Sequence, residues 1–450
     1  MALETVPLDA VQEAALRPLA PSSRRFWALA ILLAILTTWS TAAWVVQLVY
    51  GLGVAGYDDR SFWGIYEANL VSFIAVSYGG ALVSAILRLT QARWRAPITR
   101  LAEATALISL LVGMVFAIVH LGRPERVWRM VVTPQLSSPI FWDLVVIMTY
   151  LLTTAIFLYL PLIPDLALLR DRLGDRGGWR ARLYRALAVG WHGRPEQHHA
   201  LERGITAIAI LIIPIAVLVH SVLSWAFALT GRPGWNSTIM APYFVVAALY
   251  AGVAMVILVV VAFRAGYRLE RFITLKHFRY LAYLMLTLNL AYLYFTFAEL
   301  LTEGYVQAEE TVAVLESLLL GRYAPLFFLF NLLGGLIPFV LVALPRTRTI
   351  AGITTAAAFV VVGMWLKRML IVVPVVSHPL ISGAWGTLQI TWVAAGLTIG
   401  AAAAIPLLLM LFFKLFPVLS IYELEEAGAE EAVALQAHIG SMQQEGGTVS

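Results

Sequence analysis

The sequence predicts an all-α membrane protein with about ten spanning helices. Long apolar runs recur over the whole chain. Only 13% of residues are charged, where a soluble domain carries about 25%, and no stretch shows the period-two alternation of a membrane barrel. A run of about 20 apolar residues crosses a bilayer as a helix. Ten such runs divide the 450 residues: 27–50, 62–87, 99–121, 140–161, 204–229, 241–263, 277–300, 324–344, 350–374 and 389–413. They form a membrane domain over about 26–420, between an N-terminal segment, 1–25, and an acidic tail, 421–450.

Basic residues orient the spans. With the N-terminus inside, Arg17, Arg24 and Arg25 precede span 1, and Arg88, Arg93, Arg95 and Arg100 join spans 2 and 3. An arginine-rich loop from Asp165 to Arg203 joins spans 4 and 5, and Arg264, Arg268, Arg271, Lys276, Arg279, Arg346, Arg348 and Lys414 fall on the same side. The opposite side holds only Arg60, Arg123, Arg126, Arg129, Arg232 and Arg322. Both termini are therefore expected in the cytoplasm. The sequence pI near 9.4 is a topology signal that needs no nucleic acid.

The chain has no cysteine, which excludes disulfides, a thiolate-held iron–sulfur cluster and cysteine-attached haem within it. The first 23 residues lack the layout of a cleaved signal. In the long loop, "HGRPEQHHA" groups His192, His198 and His199 without the carboxylate–histidine spacing of a known metal site. The tail, beginning "YELEEAGAEEAVALQ", reads as solvated or as a short cytoplasmic helix.

An ionisable group inside a bilayer costs at least about 2.5–3.5 kcal/mol, so each needs a reason. Glu67 lies near the outer end of span 2, His120 in the last outer turn of span 3 and Asp143 in the first turns of span 4. His220 is in the outer half of span 5, Glu299 ends span 7, and Lys367 and Arg368 lie in the outer third of span 9. The inner halves carry nothing comparable. One polar cavity open toward the outer face is the expectation.

The stretch "HLGRPERVWRM" sets the end of span 3. Pro124 biases Arg123 away from helical geometry, so the helix should stop near Gly122. His120 then sits at a helix C-terminus, where the macrodipole favours imidazolium. On the return, "SSPIFWD" puts Ser138 at the N-cap, Pro139 at the first helical position and Asp143 about one turn later. Consecutive antiparallel spans bring His120 and Asp143 to similar depth, as a proton-handling pair or as a buried ion pair that locks two helices. A histidine titrates near neutrality and suits proton relay.

The remaining polar residues have plainer explanations beside functional ones. His220 and Ser224 share a helix face, as a packed histidine would. One of Lys367 and Arg368 could neutralise Glu67 or Glu299 while the other snorkels. Trp63, Trp128, Trp142, Trp225 and Trp235 form an aromatic belt before they form a stacking set. A di-haem cytochrome would need more histidines at matched depth than His120, His220, His277 and His378 provide. A secondary transporter would place polar groups at the midplane, near breaks such as Pro214, Gly334, Gly335 and Pro338.

"HLGRPERVW" followed by "SPIFWD" resembles the NrfD/PsrC family of quinone-reactive membrane subunits. "FWGIYEANLVSF", "RWRAPITRLAEA", "IPDLALLRDR", "HSVLSWAFA", "FITLKHFRYLAYLML" and "GMWLKRMLIVVP" extend the resemblance over about residues 60–380. Within the family the chain is most similar to ActC, the quinol-oxidising subunit of bacterial alternative complex III, with the paralogous ActF second. The resemblance implies two four-helix bundles, spans 2–5 (62–229) and 6–9 (241–374), flanked by spans 1 and 10, in a bacterial inner membrane. It implies a quinol (menaquinol or ubiquinol) bound in the first bundle near the periplasmic face, and no haem or metal in this chain. His120 and Asp143 match the quinol-binding pair and Arg123 the arginine of the motif, with Glu67, Trp142 and His220 as further lining. Implied partners are an iron–sulfur, molybdopterin-oxidoreductase-like peripheral subunit, c-type cytochromes and a paralogous ten-helix subunit. Coupled proton translocation is an implied extra. The alternatives are an ActF-like non-catalytic subunit, or the quinone subunit of a molybdopterin, sulfur- or hydrogen-metabolising enzyme.

Overall fold

The computed structural model describes residues 8–173, 178–379 and 383–426. Among the described residues, ten helices are long and apolar enough to cross a membrane. They are α1 (Arg24–Tyr50), α2 (Ile65–Leu89), α3 (Ala96–His120), α4 (Pro139–Tyr159), α5 (Pro195–Ala228), α6 (Met240–Tyr267), α7 (Leu275–Val306), α8 (Ala324–Ala343), α9 (Ile350–Ser377) and α10 (Trp392–Phe413). No strand occurs among the described residues. The chain is an all-α, multi-pass membrane protein.

Local chemistry sets the helix ends. The side chains of Ser23, Thr349 and Thr391 accept hydrogen bonds from Phe26, Gly352 and Ala394 backbone N–H groups, so α1, α9 and α10 start on hydroxyl caps. Pro139 opens α4 as its first residue, with Ser138 ahead of it. α5 begins at Pro195, well before residue 204, because its first turns are polar and stand clear of the apolar run. α3 stops at His120, and Gly122 follows with φ +64°, where a Cβ would lie 2.9 Å from Leu52.

Small residues let the helices approach, the usual device where lipid removes any hydrophobic drive between spans. α2 packs against α3, α5, α6 and α9. At its crossing with α6, a Cβ on Gly79 would fall 2.2 Å from the Gly252 Cα. α8 crosses α9 at Gly334 and Gly363, where the helix widens into a π-turn over Leu332–Leu336. α1 lies against α10, with Gly400 over Ser40. The most apolar stretch of α2 is 78% buried and that of α1 only 11%, which puts α2 at the centre and α1 at the rim.

The two ends of the molecule differ. One end carries His120; the other carries the arginines of the α2–α3 and α4–α5 connections. The arginine-rich end corrects one expectation, for it is rich in buried charge. Arg100 on α3 reaches Asp165 at 3.0 Å and the Ser420 hydroxyl at 3.2 Å. Glu103 accepts from Ser84 at 2.7 Å. Glu423 lies between Arg88 and Arg95, at 2.7 and 2.8 Å. The start of the acidic tail is therefore helical but not solvated: residues 421–426 return to this end, and Ile421 and Tyr422 donate backbone N–H groups to Asp165. The tail beyond Glu426 and the first seven residues lie outside the described residues.

Candidate functional site

At the His120 end, α2 begins after Gly64 and puts Glu67 in its first turn. One carboxylate oxygen accepts the Gly64 backbone N–H at 2.6 Å, the position a helix N-terminus favours for an acid. The other lies 2.6 Å from Nδ1 of His120. The approach is close but is not an aligned hydrogen bond, and it becomes an ion pair when His120 takes up a proton. The Glu67 side chain is 7% exposed and that of His120 26%. His120 ends α3, so the helix dipole and the carboxylate both stabilise positive charge at this point.

Tyr57, in the α1–α2 connection, completes the cluster. Its hydroxyl donates to Glu67 at 3.4 Å and accepts from the Tyr66 N–H at 3.0 Å, while its ring meets the His120 ring edge-on at 5.7 Å. Burial, and then the Glu67 charge, push the Tyr57 phenol well above its ordinary range, so it remains a donor. Gln47 of α1 ties the layer together: its amide donates to the Val119 carbonyl at 2.8 Å and accepts from the Tyr66 hydroxyl at 2.6 Å. Neither Tyr57 nor Gln47 stands out in the sequence. Glu67 at the third position after Gly64 is the helix-start pattern through which the cluster could have been found.

Asp143, the expected partner of His120, does not touch it. No ion pair joins them among the described residues, and Oδ1 of Asp143 is buried without any hydrogen-bond partner. The physical reason is that α2 packs along α3 and brings Glu67 to the histidine first. Trp142 faces outward, with its indole N–H on the Leu136 carbonyl at 2.9 Å. Arg123 is exposed and lines a cavity of about 510 Å³ with Arg126, Gly122 and Leu52. A second cavity of about 250 Å³ opens at the start of α4, walled by Phe62, Trp63, Ile140, Ala226 and Trp235. Its lining is mainly apolar, as ligand pockets generally are.

His220 is not part of this cluster. It is buried on α5 against the Tyr78 ring at 4.5 Å, in a cavity shared with Lys367 and Arg368. Lys367 pairs with Glu299 at 3.3 Å, not with Glu67. The polar residues of the spans thus fall into two groups at this end, where the sequence suggests one. In the α4–α5 loop, the rings of His192 and His199 bond backbone carbonyls and His198 stacks on Tyr422.

A family model described as "Polysulphide reductase, NrfD" matches residues 53–379, which contain α2 to α9 and the residues of the cluster other than Gln47. A putative membrane subunit of dimethyl sulfoxide reductase from Halobacterium salinarum is 30% identical over 74% of this chain and 73% of its own length. A selenate reductase subunit of Mesobacillus selenatarsenatis is 24% identical over 75% of this chain and 79% of its own length. The Hdr-like menaquinol oxidoreductase integral membrane subunit of Archaeoglobus fulgidus is 23% identical over 78% and 80%.

Proposed function

The chain belongs to the polysulphide reductase NrfD family, and from that premise we propose that it is the quinol-oxidising membrane subunit of an electron-transfer complex. The observation that carries this reading is the Glu67–His120 pair, set 2.6 Å apart at the end of α3 and capped by Tyr57. The name of the Archaeoglobus relative, a menaquinol oxidoreductase subunit, supports menaquinol as the substrate. The excess of arginine at the opposite end supports an extracytoplasmic position for the His120 end, with both termini in the cytoplasm.

Oxidising a quinol removes two electrons and two protons. Each proton needs a base as charge develops on the hydroxyl oxygen. With Nδ1 turned to Glu67, His120 keeps Nε2 as the acceptor for one hydroxyl proton, and Glu67 stabilises the imidazolium that results. Asp143, buried and unpartnered at Oδ1, is the acceptor available for a second proton. Trp63, Ile140 and Trp235 give the ring an apolar wall at the start of α4, and Arg123 and Arg126 line the surface cavity beside the end of α3. The electrons pass to a redox centre in a peripheral iron–sulfur partner.

Two assemblies fit this protein. The first is alternative complex III, with c-type cytochromes, a paralogous ten-helix subunit and coupled proton translocation. The second is a reductase complex, favoured by the names of two relatives, which are reductase subunits. Co-purifying subunits separate the two. A chain that binds no quinone analogue, measured as an absent thermal shift, would instead be a non-catalytic or proton-conducting paralogue. The test of the reading itself is quinol oxidation by the purified complex, abolished by a quinone analogue that raises the melting temperature of this chain.

A further inference from the structure

Four basic side chains gather where α1 begins and α10 ends. Arg24 and Arg25 open α1, and Lys414 follows directly on Phe413, the last residue of α10. The Lys414 ammonium donates to the Pro18 and Ala20 carbonyls and lies 5.6 Å from the centre of the Phe26 ring, which places it beside the start of α1. The fourth, Arg180, comes from the short helix Trp179–Leu187 in the α4–α5 connection. That helix buries Ala181 and Tyr184 and turns Trp179, Arg182 and Arg185 outward. The Tyr184 hydroxyl donates to the Leu415 carbonyl at 2.8 Å, so Arg180, one turn earlier on the same face, stands near Lys414. Burial, and then the Arg180 charge, hold the Lys414 ammonium below its ordinary range.

No acid balances this set. Among the described residues, no carboxylate lies within ion-pairing distance of Arg24, Arg25, Arg180 or Lys414, and Glu13 of the preceding helix is taken by Arg17 at 3.6 Å. Arg24 and Arg25 are exposed, and Arg180 and Lys414 are partly so, which leaves all four open to a ligand. Beside the charges the surface turns apolar. Trp27, Ile31 and Ile35 form a stripe at helical spacing on α1, 49%, 58% and 59% exposed, and Leu408 and Leu411 are exposed on α10. Trp179 is also exposed, with the Arg180 guanidinium 5.5 Å from its ring centre, as an amphipathic ring at headgroup level would be. Unpaired cations at the rim of an apolar surface match a lipid that brings phosphate to the charges and acyl chains to the stripe. A soluble anion satisfies only the charges, and a zwitterionic lipid adds a further cation to them.

We propose that Arg24, Arg25, Arg180 and Lys414 form the headgroup site of one anionic phospholipid, whose acyl chains lie along the exposed stripe of α1. The site does not depend on the quinol reading. The experiment uses the full chain purified in detergent and stripped of lipid. Phosphatidylglycerol is titrated in while thermal unfolding is followed, with phosphatidylcholine of the same chains and glycerol phosphate in parallel. Phosphatidylglycerol should raise the midpoint saturably, and the other two should not. The double variant Arg24→Gln, Arg25→Gln changes only exposed side chains that make no ion pair. It should need roughly fivefold more phosphatidylglycerol for each charge removed. Arg180→Gln should weaken the response in the same proportion. A second double variant, Arg271→Gln, Arg279→Gln, removes two exposed charges from the α6–α7 connection at the same end and should leave the titration unchanged. An equal response to phosphatidylcholine would show that acyl chains alone bind, and an equal response to glycerol phosphate would make this a soluble-anion site. Either result would overturn the proposal. So would a phosphatidylglycerol titration that the Arg24, Arg25 variant leaves unaltered, or one that both double variants weaken alike.

Discussion

One carboxylate oxygen of Glu67, in the first turn of α2, lies 2.6 Å from Nδ1 of His120, the last residue of α3. Both groups sit where helix dipoles complement their charges, the acid at an N-terminus and the imidazole at a C-terminus. Tyr57 and Gln47 hold them from the side of α1. The pair therefore belongs to a layer assembled from three helix ends.

Glu67→Gln removes the charge while keeping a carbonyl oxygen for the Gly64 N–H. Quinol oxidation by the complex should fall about 100-fold or more, the usual size of a lost acid–base contribution. Expression and complex assembly should be unchanged. Steady-state turnover beside a native gel checks both, and wild-type turnover would exclude Glu67 from the proton path.

Asp143→Asn should likewise abolish quinol oxidation and leave assembly intact. Because Oδ1 of Asp143 has no partner in the folded chain, the amide should cost little stability. A large drop in melting temperature with normal turnover in the surviving protein would make Asp143 structural.

Burial pushes the Asp165 carboxyl up to about 6, further than Arg100 and the Tyr422 and Ile421 backbone amides pull it down. In the unfolded chain it titrates near its ordinary value of about 3.9. Between those values the folded protein holds a proton that the unfolded chain has released. The stabilisation is full below about pH 4 and is lost as pH rises through about 6. The melting temperature of Asp165→Asn minus that of wild type should increase from pH 4 to pH 6.5 and then level off. A flat difference would contradict this.

Gly79→Ala should be poorly tolerated, since its Cβ would fall 2.2 Å from the Gly252 backbone where α2 crosses α6. Overpacking of this kind typically costs about 1–3 kcal/mol. Gly266→Ala, with nothing within 4 Å, is the control and should stabilise α6 by about 0.5–1 kcal/mol. Melting temperatures of the two variants should move in opposite directions.

The spans are legible in the sequence because apolar run length answers directly to bilayer thickness. Pro124 and Pro139 mark the end of α3 and the start of α4 through fixed backbone chemistry. The partner of His120 is not legible. Sequence order suggests the next span, whereas the contact is made by the preceding one, and only helix phase and packing decide that. Asp165 and Glu423 are hidden for a related reason. Asp165 meets Arg100 across 65 residues of sequence, and Glu423 meets Arg88 only because the chain after α10 folds back to the same end. The position of Arg368 in its span suggests snorkelling, but the residue is enclosed by helices that are distant in the chain.

Photo-labelling of the purified complex with an azido-quinone, followed by peptide mapping, tests the central claim most directly. The label should fall on peptides carrying Tyr57–Glu67, His120–Arg123 or Ser138–Asp143, and excess unlabelled quinone should suppress it. Label confined to α6–α9, with none on those peptides, would place quinol chemistry elsewhere and contradict the account.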